Sequence, residues 1–374
     1  MAASYLIADT YYPSFLATFY ARHPLALTVG YGDSLRELLA QGFGTADFYS
    51  RNLRALGCEA SDIVANDEIL QSKWAKEHGV RFGPPPTLRR LMSHVPYTRR
   101  RVQTREHLSP LLAAQVRAMR PDVLFFQNLS WCEPALIKRV RSSVGLIVGQ
   151  IASPPPDRRY LEGCDLILTS FPHYVERFRN MGIDSEYFRI GFEPTVVDRL
   201  TPLPDRYGAV FVGAFEDVHA EGTVLLEKVA GEVGLDVWGY GIDNVDAGSP
   251  LRQKYHGEAW GLDMYNVFCS SRIVINRHSS AAENFANNMR LYEATGVGAF
   301  LITDEKDNLG ELFEVGSEIE TYRDADELVD KVRYYLAHDD EREKIARAGQ
   351  ERTLRDHTYL QRMKELEQII EAYS

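Results

Sequence analysis

In the stretch NNMRLYEATGVGAFLITD, residues 287–304, Arg290 and Glu293 stand three apart on a helix-like run, just ahead of an apolar segment ending at Asp304. That spacing puts both side chains on one helix face. A guanidinium is a permanent, forked donor and a carboxylate accepts only. The pair therefore suits recognition of a phosphate and of hydroxyls, or nothing more than a local ion pair. Asn287 and Asn288 open the run, and Gly296 and Gly298 let it turn closely into the strand. Other polar groups also stand where an apolar run ends. Gly213 follows VFV and opens GAFEDVHAEG. Its backbone N–H groups could meet a phosphate, with His219 as a further donor, or the stretch is an ordinary glycine turn. Asn276, with Arg277 and His278, follows RIVI in the same way.

Such residues need elements to hold them. Near-continuous apolar runs (VLFF, GLIVGQIA, CDLILTS) alternate with amphipathic segments such as LSPLLAAQVRAM and PHYVERFRNMG. Strands apolar throughout belong to parallel sheets covered by helices on both faces, so the rhythm is βαβ. Residues 193–206, EPTVVDRLTPLPDR, hold three prolines and no clear periodicity, and read as a linker. The rhythm then restarts with GAVFVGAF and continues through NLGELFE, read as a helix. The fold class is α/β, with a first Rossmann-like domain over 1–195 and a second over 207–355, facing each other across a cleft. The tail 356–374 reads as a helix whose apolar face (Leu360, Met363, Leu366, Ile370) packs back on the first domain.

Composition excludes several classes. A net charge of −11 argues against nucleic acid as a partner, which needs basic patches. The local exceptions are Arg89–Arg90 and Arg99–Arg100–Arg101. Four cysteines without a CxxC pair support neither a zinc site nor a disulfide framework. No apolar stretch approaches the roughly 20 residues of a membrane helix. The expectation is a reduced, cytoplasmic protein with no transmembrane segment.

The order of motifs from VFVGAF and DVWGYG through YHGEAWGLDMYNVFCSSRIVIN to NNMRLYEATGVGAFLITD resembles the nucleotide-sugar-binding domain of GT-B glycosyltransferases. The nearest likeness is to the spore-maturation-protein-like branch of the group 1 enzymes, strong over 208–372 and looser over 115–195. The resemblance implies that Glu293 accepts from the donor ribose hydroxyls and that Arg290 lies by the diphosphate. It puts Trp260, in YHGEAWG, where the base is received, or else in the core. Relatives place a second glutamate eight positions before the ribose one; here that position is Phe285, and Glu283 is the nearest candidate.

Glycosyl transfer needs a stabilised leaving diphosphate and an activated acceptor hydroxyl. The sole Asp-x-Asp, Asp324-Ala325-Asp326, reads as a helix start, so no metal and no other cofactor is expected. The general base should come from the first domain, with Asp9, Glu133 and His173 as candidates beside helix-capping roles. The acceptor is a glycan, a lipid-linked glycan, a protein or a small molecule. The competing readings are a sugar-nucleotide epimerase of similar fold and a non-catalytic sugar-nucleotide-binding protein.

Overall fold

In a computed structural model the described residues are 3–81, 105–203, 206–215, 220–286 and 288–373. The arginine runs at 89–90 and 99–101, His219 and Asn287 lie outside them. The chain divides into two compact units, one formed by Met1–Thr169, His173–Tyr187 and Met363–Ser374, the other by Ser170–Pro172 and Phe188–Arg362.

The first unit is built on a parallel sheet of β1 (Ser4–Asp9), β2 (Glu59–Val64), β3 (Val123–Phe126), β4 (Leu146–Ile151), β5 (Leu166–Thr169) and β6 (Ser185–Tyr187). Its order is β2-β1-β3-β4-β5-β6. The central strands are fully buried, which is why VLFF and LILT carry no polar alternation. The second unit holds β7 (Tyr207–Val212), β8 (Asp236–Trp238), β9 (Ser271–Ile275), β10 (Leu301–Asp304) and β11 (Glu320–Tyr322), ordered β11-β10-β9-β7-β8 and again parallel. Its core packs Phe211, Ile273 and Ile302 of the strands against Leu226, Val229, Leu328 and Val332 of the covering helices.

Strand order reverses between β1 and β3 in the first sheet and between β7 and β9 in the second. The two strands there send their connections to opposite faces, which opens a crevice at their carboxyl ends. Asp9 ends β1, and Gly213 and Asn276 follow β7 and β9.

Three local expectations change. Within EPTVVDRLTPLPDR, read as a linker without periodicity, Pro194–Arg199 form a 3-10 helix whose start is capped by the Glu193 carboxylate, accepting from Thr195 N–H at 3.3 Å. NLGELFE is helical only over the single turn Leu309–Leu312, because Phe313 is already extended. In the tail helix Tyr359–Glu371, Met363, Leu366 and Ile370 are buried but Leu360 stays exposed. Within the first unit this helix presents Glu367, whose carboxylate accepts from the Tyr5 hydroxyl and, at 2.9 Å, from the Cys58 thiol. Among the described residues no helix is long and apolar enough to cross a membrane.

Candidate functional site

The loops after β7 and β8 run side by side and keep pairing beyond the strands. Gly213 N–H donates to Trp238 O at 3.0 Å, and Phe215 N–H to Tyr240 O at 2.9 Å. Gly239, at φ +140°, has no alternative: a Cβ there would sit 1.6 Å from Gly213 O. The helix Ala220–Glu232 follows, and its first turns receive Arg277 from the β9 end. A Cβ on Gly222 would fall 2.0 Å from Arg277 Nη1, while Arg277 Nη2 donates to Ala214 O at 3.2 Å. Burial lowers the pKa of this guanidinium, against the opposing pull of Tyr322 and Asp304. A half-buried cation against the positive end of a helix is unfavourable unless an anion joins them. Arg277 stood in the sequence motif but not among the expected ligand residues; its signal was its position at the strand end.

Asn276 and Asn288 bind the β9 end to the next helix, Met289–Gly296. Asn288 Nδ2 donates to Asn276 Oδ1 at 2.9 Å and to Arg277 O at 3.3 Å, while its Oδ1 caps Leu291 N–H at 3.4 Å. Asn276 Nδ2 in turn donates to Thr303 Oγ1 at 2.9 Å. That frame aims Arg290 and Glu293. Arg290 Nε donates to Val212 O at 3.1 Å, next to Gly213, and its guanidinium lies over the Phe268 ring and pairs with Glu293. Glu293 is only 3% exposed, with the Tyr265 hydroxyl 3.5 Å from its Oε1. The ion pair of the local reading therefore forms, but it is buried and tied to the β7 end rather than lying on a helix surface.

The structure thus joins Gly213, Asn276, Asn288, Arg290 and Glu293 in one network. Trp260 connects to it through Tyr240, on which it stacks at 5.8 Å between ring centroids, and its Nε1–H donates to Glu258 at 2.9 Å. Glu283 is exposed in a turn at φ 48°, ψ −117°, a conformation that costs a non-glycine residue about 1–3 kcal/mol and tends to collect at functional sites. Lys306 Nζ donates to its carbonyl at 2.8 Å. Sequence reasoning also passed over Asp304, which accepts from His278 Nδ1 at 2.7 Å. Burial works to raise the Asp304 pKa, but the hydrogen bonds from His278, with the Lys306 charge, carry it below the ordinary value.

In the first unit Asp9 is half-buried at the β1 end, accepting from Thr10 N–H at 2.7 Å. Burial outweighs that bond and pushes it up to about 7. Asp62 of β2, held by the Ser50 hydroxyl, is likewise pushed up to about 7 by burial. The β1–β2 register sets Asp62 beside Ile7, on the same sheet face as Asp9. Sequence reasoning had no signal for Asp62. Glu133 stands half-buried before the helix Pro134–Val140 without capping it, and His173 lies in the first turn of Pro172–Asn180. Asp324 caps the helix Ala325–Ala337, accepting from Glu327 N–H at 2.9 Å. Among the described residues no group of three His, Cys, Asp or Glu side chains is arranged to hold a metal ion.

Residues 223–368 match a sequence family described as "Glycosyl transferase-like". No curated protein matches the chain. Among solved structures, the Anabaena protein Alr3699/HepE in complex with UDP-glucose superposes with a TM-score of 0.62 at 11% identity, over 99% of this chain and 100% of that one. Sucrose-phosphate synthase from Thermosynechococcus elongatus gives 0.59 at 11% identity over 99% and 100% of the two chains. AviGT4, a glycosyltransferase of avilamycin A biosynthesis, gives 0.53 at 14% identity over 88% and 89%. These likenesses show the fold, and they lend the epimerase reading no support. The chain has the GT-B fold of two Rossmann-like domains, and over residues 223–368 it is similar to the glycosyl transferase-like family.

Proposed function

We propose that this protein is a metal-independent glycosyltransferase that moves a sugar from a nucleotide-diphosphate sugar to an acceptor hydroxyl. The observation that carries the reading is the charge at the second switch point. Arg290 donates to the last carbonyl of β7 and Arg277 to Ala214 O in the loop that follows, with Arg277 against the first turns of the helix Ala220–Glu232, and Glu293 is the carboxylate of the buried pair. Such a place is completed electrostatically by a diphosphate. The UDP-glucose bound to Alr3699/HepE supports a donor of this class.

In this reading the diphosphate lies between the Gly213 loop, Arg277 and Arg290. Those groups stabilise the charge that develops on the leaving group. Asn276 and Asn288 hold the frame, Glu293 fixes Arg290 and offers Oε1 to the ribose hydroxyls, and Trp260 with Tyr240 makes a shelf for the base. His219 is a further donor to the phosphates. Glu283, in its strained turn, serves the sugar. Asp9 is the preferred general base, since a carboxyl titrating near 7 is matched to taking a hydroxyl proton at neutral pH. Glu133 and His173 are the reserve candidates.

The cationic groups make a divalent ion unnecessary, so turnover should survive EDTA. The four cysteines are thiols, with the Cys132 and Cys164 sulfurs 3.5 Å apart, which suits the reducing cytoplasm as the site of action. The acceptor is a glycan, a lipid-linked glycan, a protein or a small molecule.

A thermal-shift panel of nucleoside diphosphates and their sugars, followed by assay of diphosphate release with candidate acceptors, tests the reading. A ligand bound only by the folded state raises the melting temperature by mass action. Diphosphate release that depends on acceptor supports transfer. Binding without turnover points to a sugar-nucleotide-binding protein, and no binding at all refutes the donor site.

A further inference from the structure

His278 follows β9 and is held by the end of β10. Asp304 Oδ1 accepts from its backbone N–H at 3.0 Å and from Nδ1 at 2.7 Å, and Lys306 Nζ lies 3.4 Å from Oδ2. A carboxylate at Nδ1 keeps the proton on that nitrogen and leaves the lone pair of the neutral ring on Nε2. The imidazole is 1% exposed, and Nε2 has no hydrogen-bond partner among the described residues. Buried polar atoms are almost always paired, so a buried nitrogen fixed in direction and lacking a partner points to a ligand.

The order of the second sheet indicates which part of a ligand reaches it. The Tyr240–Trp260 stack stands beyond β8, Gly213 and Arg277 stand at the switch between β7 and β9, and His278–Asp304 stands at β9–β10. A nucleotide sugar laid along this edge, base at β8 and diphosphate at the switch point, brings its sugar to β9–β10. We propose that His278 is a specificity-determining residue for the transferred sugar. Its Nε2 accepts a hydrogen bond from a sugar hydroxyl, and Asp304 is the positioning residue that holds the ring and its tautomer. The carboxylate behind the ring strengthens Nε2 as an acceptor. This inference rests on the donor reading given above.

The test is calorimetric titration of wild type, His278→Asn and His278→Gln with UDP, GDP and ADP and with the glucose derivative of each. The asparagine variant keeps an N–H for Asp304 and loses Nε2, whereas glutamine returns a polar group near that position. For the nucleotide that wild type binds, the asparagine variant should hold the bare diphosphate within about twofold but bind the sugar derivative about 5- to 20-fold more weakly. The glutamine variant should recover part of that loss, and it is the variant to read if the asparagine protein does not fold. Asp304→Asn should produce the same sugar-only loss and shift the imidazole 15N resonances away from those of the Nδ1–H tautomer. A purely structural contact would not separate sugar from diphosphate. Equal losses for both ligands, or none, overturn the role of His278 and leave the donor site standing. Wild-type protein that binds none of the diphosphates overturns both.

Discussion

At the second switch point each charged group faces an opposite charge or a peptide dipole: Arg290 meets Glu293 and Val212 O, and Arg277 meets Ala214 O. In the first unit, Asp9 at the switch point and Asp62 on the neighbouring β2 are held by the neutral donors Thr10 N–H and Ser50 Oγ. Permanent charges fixed in place suit a ligand whose own charge never changes, such as a diphosphate. Carboxyls that burial has pushed up to about 7 suit a task in which a proton moves. On the proposed function, the same topological device, a reversal of strand order, would serve donor binding in one unit and proton transfer in the other.

The largest effect expected from disturbing this contrast is on Arg290. Arg290→Ala leaves the buried Glu293 carboxylate without its cation, which costs about 3 kcal/mol or more of stability in urea unfolding. Nucleotide-diphosphate affinity should fall with it. Glu293→Gln keeps an acceptor and should cost less stability, yet enough to register in the same unfolding, because Glu293 is buried. If both variants unfold like wild type, the paired-charge account of the second switch point fails.

Asp9→Asn comes next. Loss of a general base lowers turnover by about 100-fold or more. Donor affinity, set in the other unit, should stay unchanged. Wild-type kcat/KM should rise with pH with an apparent pKa of about 7, and that rise should vanish in the variant. A pH profile unaltered by Asp9→Asn would move the role to Glu133 or His173.

The two units should also answer acid in opposite senses. Asp9 and Asp62 titrate higher folded than unfolded, so between about pH 4 and 7 the folded first unit binds the extra protons and loses stability as pH rises. His357, in the second unit, is buried, donates Nε2–H to Leu312 O at 2.8 Å, and is pulled down to about 4 by that burial. Its unfolded value is about 6.5, so there the unfolded chain binds the extra proton and stability is lost as pH falls from 6.5 towards 4. Hydrogen exchange at pH 5 and 7.5 should show first-unit strands better protected at pH 5 and second-unit strands at pH 7.5. A common direction in both units would contradict the assignment.

The smallest effect concerns Asp324. As a helix cap its replacement by alanine should cost about 1 kcal/mol in thermal or urea unfolding and leave turnover and its indifference to EDTA unchanged. Loss of turnover restored by manganese would instead make it a metal ligand.

How far the sequence foretold this follows from how local each signal is. Runs such as VLFF and LILT are buried on both faces, so composition alone marks them as central strands. Arg290, Glu293 and the Asn288 cap lie within six residues of one another, and their helix spacing is legible directly. The Asp304–His278 bond joins residues 26 apart, and the approach of Arg277 to Gly222 joins helix and strand end across the chain. Neither spacing is periodic, so only the β9–β10 pairing and the β7–β9 reversal could reveal them. Burial is the other hidden quantity: nothing in EASDIV announces that Asp62 will be desolvated. Leu360 shows the converse, an apolar residue in helical register that the packing leaves in water.

The most direct measurement is hydrogen exchange with and without the nucleotide sugar that most raises the melting temperature. The account predicts new protection in the amides of 213–215, 276–278 and 289–296, and its loss in Arg277→Ala at the same ligand concentration. Ligand protection confined to the first unit, or protection of the 213–215 loop that Arg277→Ala leaves intact, would contradict it.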